Sequence, residues 1–294
     1  MAAAASLAVL LLGMVFAAAA AARLLQGGSP LAMACDSARL LLQQRVPTER
    51  PDALNLALAP LLYFALAVIG LSVVPLAPEL VVARPDAGIV LWGACEALTV
   101  VAVFLHGWSA NAPLPLIGAY RYVAVGLPTM LLSMFVLIGA ALPAESLSLP
   151  AIVESQRDGW NLLRQPLGLP LFLLLGLTLS LRGPFDYGDS TDLAGGTQAE
   201  ASGRARLGWR VAKLAMLVSF SAVAASAFLG GYLGPLLPPP LWLLLKSAAV
   251  LLLVLALERT LARTPPARMM TLLWVVLMPL AFVDLLVAGL GALR

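Results

Sequence analysis

The 294-residue chain is 61% hydrophobic and only 11% charged, with a formal net charge of +3. Soluble domains carry about 25% charged residues, so this composition cannot make a water-facing surface and lipid has to be the solvent. Cys35 and Cys95 are the two cysteines and His106 the one histidine, which excludes a thiolate-held iron–sulfur cluster, a bis-histidine haem or a histidine-rich metal site within the chain; the small net charge gives nucleic acid no footing.

Apolar runs long enough to cross a bilayer occur at Ala4–Ala22, Ala53–Val74, Gly88–Leu105, Tyr122–Leu142, Val211–Leu229, Leu241–Leu257 and Met269–Leu293. Leu167–Leu181 is shorter but is flanked by Trp160 and Arg164 on one side and Arg182 on the other, as an interfacially anchored span would be. The expected fold is therefore an all-α integral membrane protein of about eight transmembrane helices, forming a single polytopic domain over residues 1–294. The Ala-rich opening lacks a basic n-region and is expected to stay as a span rather than be removed as a signal peptide. Between the first two spans, Ser29–Gln44 mixes Leu31, Ala34, Leu40, Leu41 and Leu42 with Asp36, Arg39, Gln43 and Gln44. That pattern predicts an amphipathic helix lying in the interface, or an ordinary connecting helix.

With the N-terminus outside, Arg23, Arg39, Arg45, Arg50, Arg121, Arg182, Arg204, Arg206, Arg210, Lys213, Arg259, Arg263 and Arg268 gather on the cytoplasmic side, in loops 23–52, 182–210 and 258–268 and at neighbouring helix ends. Arg84, Arg157, Arg164 and Arg294 are left outside. The positive-inside rule supports this orientation. Four ionisable side chains fall within spans: Glu96, Lys213, Lys246 and Asp284. Ionisable residues at membrane depth normally face a bundle interior or wet cavity, and they are candidates for a proton path. The plainer alternatives are a packing contact with a partner subunit for Glu96, a helix–helix hydrogen bond for Asp284 and an outward-snorkelling Lys246. His106 is expected at the interface. Pro128 is expected to kink its helix and free carbonyls.

Several segments run in order from residue 30 to residue 290: Asp36-Ser-Ala-Arg39-Leu-Leu, His106-Gly-Trp-Ser-Ala-Asn111, Pro184-Phe-Asp186, Phe228-Leu-Gly-Gly231 with Gly234-Pro235, Trp242 with Lys246, and Trp274 followed by Pro279. Together they resemble the complex I subunit 1 family, the quinone-facing membrane subunit of bacterial NADH–quinone oxidoreductase. Its fold family also supplies the membrane anchors of energy-converting hydrogenases and formate hydrogenlyase. The resemblance implies a multi-pass subunit of the bacterial inner membrane with no catalytic residue, redox centre or metal of its own. Such a subunit joins other membrane subunits and a peripheral iron–sulfur electron-transfer arm, shapes the site of a quinone substrate, and belongs to a respiratory complex that translocates protons. On the positions that match, Arg182, Asp186, Asp189, Asp192 and Glu200 would form the loop that docks the arm and lines the quinone site.

The chain departs from the family pattern in four places. Its first connection is cut down to Arg23–Gly28, and Met130, Leu179 and Lys213 stand where the family carries glutamates. Asp284 stands where the family tends to have asparagine. These departures put proton conduction through this particular subunit in question. Two other functions stay open. A hydrogenase-type anchor is favoured by the short first connection and disfavoured by the Gly-Trp-Ser-x-Asn form. A stand-alone secondary transporter would need internal repeats and paired broken helices, and neither is visible. Outside the resemblance, a loop with Asp186, Asp189, Asp192 and Glu200 beside Arg204, Arg206, Arg210 and Lys213 also reads as a solvated, self-paired face.

Overall fold

In a computed structural model the protein is described over residues 2–292, apart from residues 26, 45 and 47. Arg45 and Arg294, both counted among the basic residues above, lie outside the described residues. Twelve α-helices follow one another among the described residues: α1 (Ala2–Leu25), α2 (Pro30–Leu42), α3 (Ala53–Ser72), α4 (Gly88–Ser109), α5 (Pro113–Ala141), α6 (Leu149–Glu154), α7 (Asn161–Arg164), α8 (Gly168–Leu179), α9 (Gly203–Phe228), α10 (Pro239–Thr260), α11 (Pro266–Leu272) and α12 (Met278–Ala292), with a π-helical turn over Leu273–Leu277 joining the last two. Among the described residues seven helices, counting α11–α12 as one, are long and apolar enough to cross a membrane, and α8 is a shorter apolar helix. The fold is therefore all-α and membrane-integral.

The apolar runs stop short of the helices wherever charge enters a helix end. Helix α5 begins at Pro113, well before Tyr122, and carries Arg121; α9 begins at Gly203 and carries Arg204, Arg206, Arg210 and Lys213 in its first turns. A helix extends past its apolar run because backbone hydrogen bonding continues while long basic side chains reach toward the interface. Conversely, Leu167–Leu181 contracts to Gly168–Leu179. Helix α5 continues through Pro128 and Thr129 donates to the Val125 carbonyl (2.7 Å), so a side chain serves a carbonyl beside the proline gap.

Helix α9 is the axis of the bundle. Every side chain from Ala215 to Phe228 is buried, and α3, α10, α1, α2 and α8 all pack on it. A helix that is apolar all round and buried all round belongs at the centre of a bundle, not at its lipid face. Outward-facing leucines and valines on α1, α10 and α12 then form the lipid-exposed surface. The amphipathic segment does form a helix: the Ser29 hydroxyl caps α2 by accepting from the Ala32 amide (3.2 Å), Pro30 occupies the first turn, and one face lies on α1 and α9.

Hydrogen bonds define two ends. One end gathers the start of α3, the end of α4, the start of α5, the end of α8, the start of α9 and the end of α10. It does so through Asp52 N–H to Ser109 O (2.8 Å), Thr48 to Ala110 O (2.6 Å), Arg121 to Asp192 (2.6 Å), Lys213 of α9 to Asp189 (2.7 Å) and Arg182 to Glu258 (2.6 Å). The basic cluster sits there, so this is called the charged end. The opposite end is tied by Ile89 N–H to Leu147 O (3.0 Å) and by Asn161 Nδ2 to Ala140 O (3.0 Å) and Ala227 O (2.9 Å).

Candidate functional site

The connection from α8 to α9 builds most of the charged end. Helix α8 closes with the Leu181 N–H on Thr178 O (3.1 Å) and the Arg182 N–H on Leu177 O (2.9 Å), the paired bonds of a Schellman ending. Leu181 occupies the left-handed position, with φ of 48°, where glycine is usual. That conformation costs a leucine about 1–2 kcal/mol, and it turns the chain so that both Leu181 and Arg182 line a cavity. The following segment packs backbone to backbone on α5. A Cβ at Gly118 would collide with the Gly188 carbonyl oxygen, and so would one at Gly196, which also holds a left-handed φ of +51°. The Thr197 N–H donates to that same carbonyl (2.9 Å).

Three of the four acids expected in this loop are each paired with a base from a different element. Asp186 pairs with Arg263, in the link between α10 and α11. Asp189 accepts from Lys213 of α9 (2.7 Å), Gln198 Nε2 (2.5 Å) and Thr197. Asp192 accepts from Arg121 of α5 (2.6 Å) and from Ser190. Tyr187 adds a bond to the Thr264 carbonyl (2.9 Å). Burial pushes the Asp186 carboxyl above its ordinary range despite Arg263, whereas the Ser190 hydroxyl and Arg121 hold Asp192 below it. The side chains of Asp189 and Lys213 are 5% and 14% exposed, so their pairing is the best shielded of the three. The loop is thus stapled to the bundle by its charges. Glu200 stands apart: it borders a small pocket of about 20 Å³ beside His106 and Thr197, room for one water.

Behind the loop lies a cavity of about 670 Å³. One wall is apolar, from Leu12, Val15, Phe16 and Ala19 of α1, faced by Leu207, Val211 and Leu214 of α9. At the charged end it closes on Arg23, Asp36, Arg182, Arg210, Lys213 and Glu258. Of the expected site residues, Arg182 and Lys213 line this cavity; Asp186, Asp189, Asp192 and Glu200 do not. Glu258, which holds Arg182, and Arg263, which holds Asp186, belong to no motif and stand in the sequence as ordinary loop charges. Their spacing gives no hint of these pairings.

The four candidates for a proton path are not brought together. Glu96 is fully buried in α4, and Ser133 of α5 donates to it. Its packing is thus within the chain and not, as the sequence suggested, against another subunit. Thr99 donates to the Glu96 backbone carbonyl (2.6 Å) and lies 3.4 Å from the Tyr122 hydroxyl. Lys213 is engaged by Asp189. Lys246 does not snorkel outward: at the opposite end its ammonium donates to the Leu229 (2.6 Å) and Leu233 (2.7 Å) carbonyls, which α9 and its following turn leave open, and sits over the rings of Trp160 and Trp242. Asp284 accepts from Gln165 (2.5 Å), which also donates to Val136 O (3.1 Å), as a helix-joining hydrogen bond would. His106, expected at the interface, is instead buried and stacked on Trp209 with ring centroids 3.9 Å apart.

A family model described as NADH dehydrogenase matches residues 6–289. The chain belongs to this family. It is similar to the NADH-quinone oxidoreductase H-subunit 1 of Rhodopseudomonas palustris strain HaA2, at 33% identity over 255 residues, covering 86% of this chain and 80% of that protein. The protein of the same name from strain BisB5 is 32% identical over the same shares. The three residues expected above to stand in place of glutamates are accommodated in two ways. Met130 and Leu179 are buried among apolar neighbours, and Lys213 takes its counter-charge from Asp189.

Proposed function

We propose that this chain is the membrane subunit of an NADH–quinone-oxidoreductase-type assembly. Its α8–α9 loop docks a peripheral iron–sulfur electron-transfer arm, and its cavity receives the quinone whose reduction the complex couples to proton translocation. The observation that carries this reading is the cavity's polarity. An isoprenoid quinone has a long apolar tail and a polar headgroup, and the apolar wall of α1 runs into a ring of charge that includes Arg182 and Lys213. The loop that the family motif marks is braced against that ring by Asp189, through Lys213 and Gln198. In this reading the charged end faces the cytoplasm of a bacterial cell and other membrane subunits pack on the lipid-exposed helices. The basic asymmetry of the two ends supports that orientation. The short connection from α1 to α2 also suits a hydrogenase-type anchor, which would co-purify with a hydrogenase instead of an NADH-oxidising arm.

Leu214→Trp tests the quinone site, because it fills the cavity from α9 without replacing a charged side chain. In the assembled complex it should lower donor-to-quinone turnover about tenfold or more, the effect of about 1.4 kcal/mol of lost binding. Donor oxidation by a water-soluble one-electron acceptor should stay near the unmodified rate. Unchanged quinone turnover in a fully assembled variant would rule out this cavity as the quinone site.

A further inference from the structure

Beside the large cavity, between α2 and α9, lies a second cleft of about 380 Å³ lined by Arg23, Asp36, Arg39, Leu40, Gln43 and Arg210. Its charges do not balance. Asp36 pairs with Arg23. Among the described residues, Arg39 and Arg210 have neither an ion pair nor a side-chain hydrogen bond. Arg206, one helical turn before Arg210 on α9 and so on the same face, has a buried Nε with no partner. Arg39 and Arg210 thus line the cleft, with Arg206 one turn away, where the one carboxylate present is already engaged. Like charges gathered this way repel, and an anion among them relieves that repulsion. Guanidinium groups offer paired N–H donors that match phosphate oxygens.

The surroundings say what carries the phosphate. Helix α2 presents Leu31, Leu41 and Leu42 outward, at 73%, 52% and 86% exposure, and α1 ends in exposed Leu24 and Leu25 beside the cleft. On an interfacial helix packed against a membrane span, such leucines meet acyl chains. A ligand that places a phosphate among arginines and hydrocarbon against these leucines is a phospholipid. The net positive charge selects one whose headgroup is anionic over a zwitterionic one. We propose that this cleft is a binding site for the headgroup of an anionic phospholipid, which completes the seam between α1, α2 and α9. Arg23, Asp36 and Arg210 border both spaces, but the inference does not rest on the quinone reading, because Arg39 lines the cleft and not the large cavity.

The test uses the assembled complex in neutral detergent, stripped of lipid and then offered phosphatidylglycerol or phosphatidylcholine, with lipid bound to this subunit counted by native mass spectrometry. Phosphatidylglycerol should be retained and phosphatidylcholine not. The double variant Arg39→Gln, Arg206→Gln should weaken retention by about fivefold for each arginine removed. Arg39→Lys, Arg206→Lys should recover most of it, since the charge returns without the fork. Should the glutamine pair fail to assemble, Arg39→Gln alone, at an exposed position, carries the test. Equal retention by the unmodified and glutamine complexes, or equal retention of the two lipids, overturns the proposal. Displacement of the lipid by inorganic phosphate overturns it in favour of a soluble anion. Loss of the peripheral arm with lipid retention unchanged overturns it in favour of an acidic protein segment.

Discussion

At the opposite end, the amide nitrogens of Gln156, Asn161 and Gln165 and the Lys246 ammonium donate to loose carbonyls or, for Gln165, also to Asp284: Gln156 bridges Ile152, Ser226 and Gly230, and Lys246 closes the turn after α9. At the charged end, Arg182, Asp186, Asp189, Asp192, Lys213, Glu258 and Arg263 pair side chain with side chain across different elements, and three of these residues border an open cavity. The contrast separates two settings for a buried ionisable group. A side chain whose partners are backbone atoms of its own bundle completes the fold. One that faces a cavity through an ion pair can exchange that partner for a ligand or a proton.

The largest expected effect comes from breaking the shielded pair. Asp189→Asn leaves the Lys213 ammonium without its carboxylate and upsets the bonds from Thr197 and Gln198. Removing one partner of a buried pair costs about 3–5 kcal/mol. The α8–α9 loop should come loose, seen as rapid proteolysis near Ala194 and loss of the peripheral arm on native gels. A protected loop in this variant would mean that the backbone seat on Gly118 suffices without the pair.

Lys246→Met should come next, since two hydrogen bonds from a charged donor to carbonyls vanish, at about 3 kcal/mol together. The thermal stability of the complex should fall, while turnover per assembled complex stays unchanged. A fall in turnover at full assembly would move Lys246 from the structural end of the comparison to the functional one.

The smallest difference in stability, and the sharpest in meaning, separates Asp186→Asn from Asp284→Asn. Both keep size and remove charge. Asn at 284 still presents an oxygen to Gln165 Nε2, so stability should change by less than about 1 kcal/mol and turnover little. Asn at 186 loses its pairing with Arg263 on the loop proposed to dock the arm, and donor-to-acceptor turnover should drop clearly in complexes that assemble normally. A silent Asp186→Asn with a crippling Asp284→Asn would reverse the assignment of the two ends and favour an intramembrane acid path.

Composition, run length and motifs settled the lipid solvent, the helical fold, the long apolar helices with one shorter one, a helix between the first two spans, and the family. Each of these is written in composition, in run length or in local motifs, which act over a few residues. The sequence also marked the α8–α9 loop as the segment to watch. Tertiary structure alone decided what the charges there do. Arg263 lies 77 positions from Asp186 and Arg182 lies 76 from Glu258, and no local pattern announces a partner at that distance. The same holds for Glu96, which takes its hydrogen bond from Ser133 of a neighbouring helix, and for Lys246, which reaches back to carbonyls exposed only because α9 ends where it does. Charge type and depth can be read along a chain, but the partner of a charge is set by which helices lie side by side, and in a bundle that is fixed by side-chain packing between helices far apart in sequence.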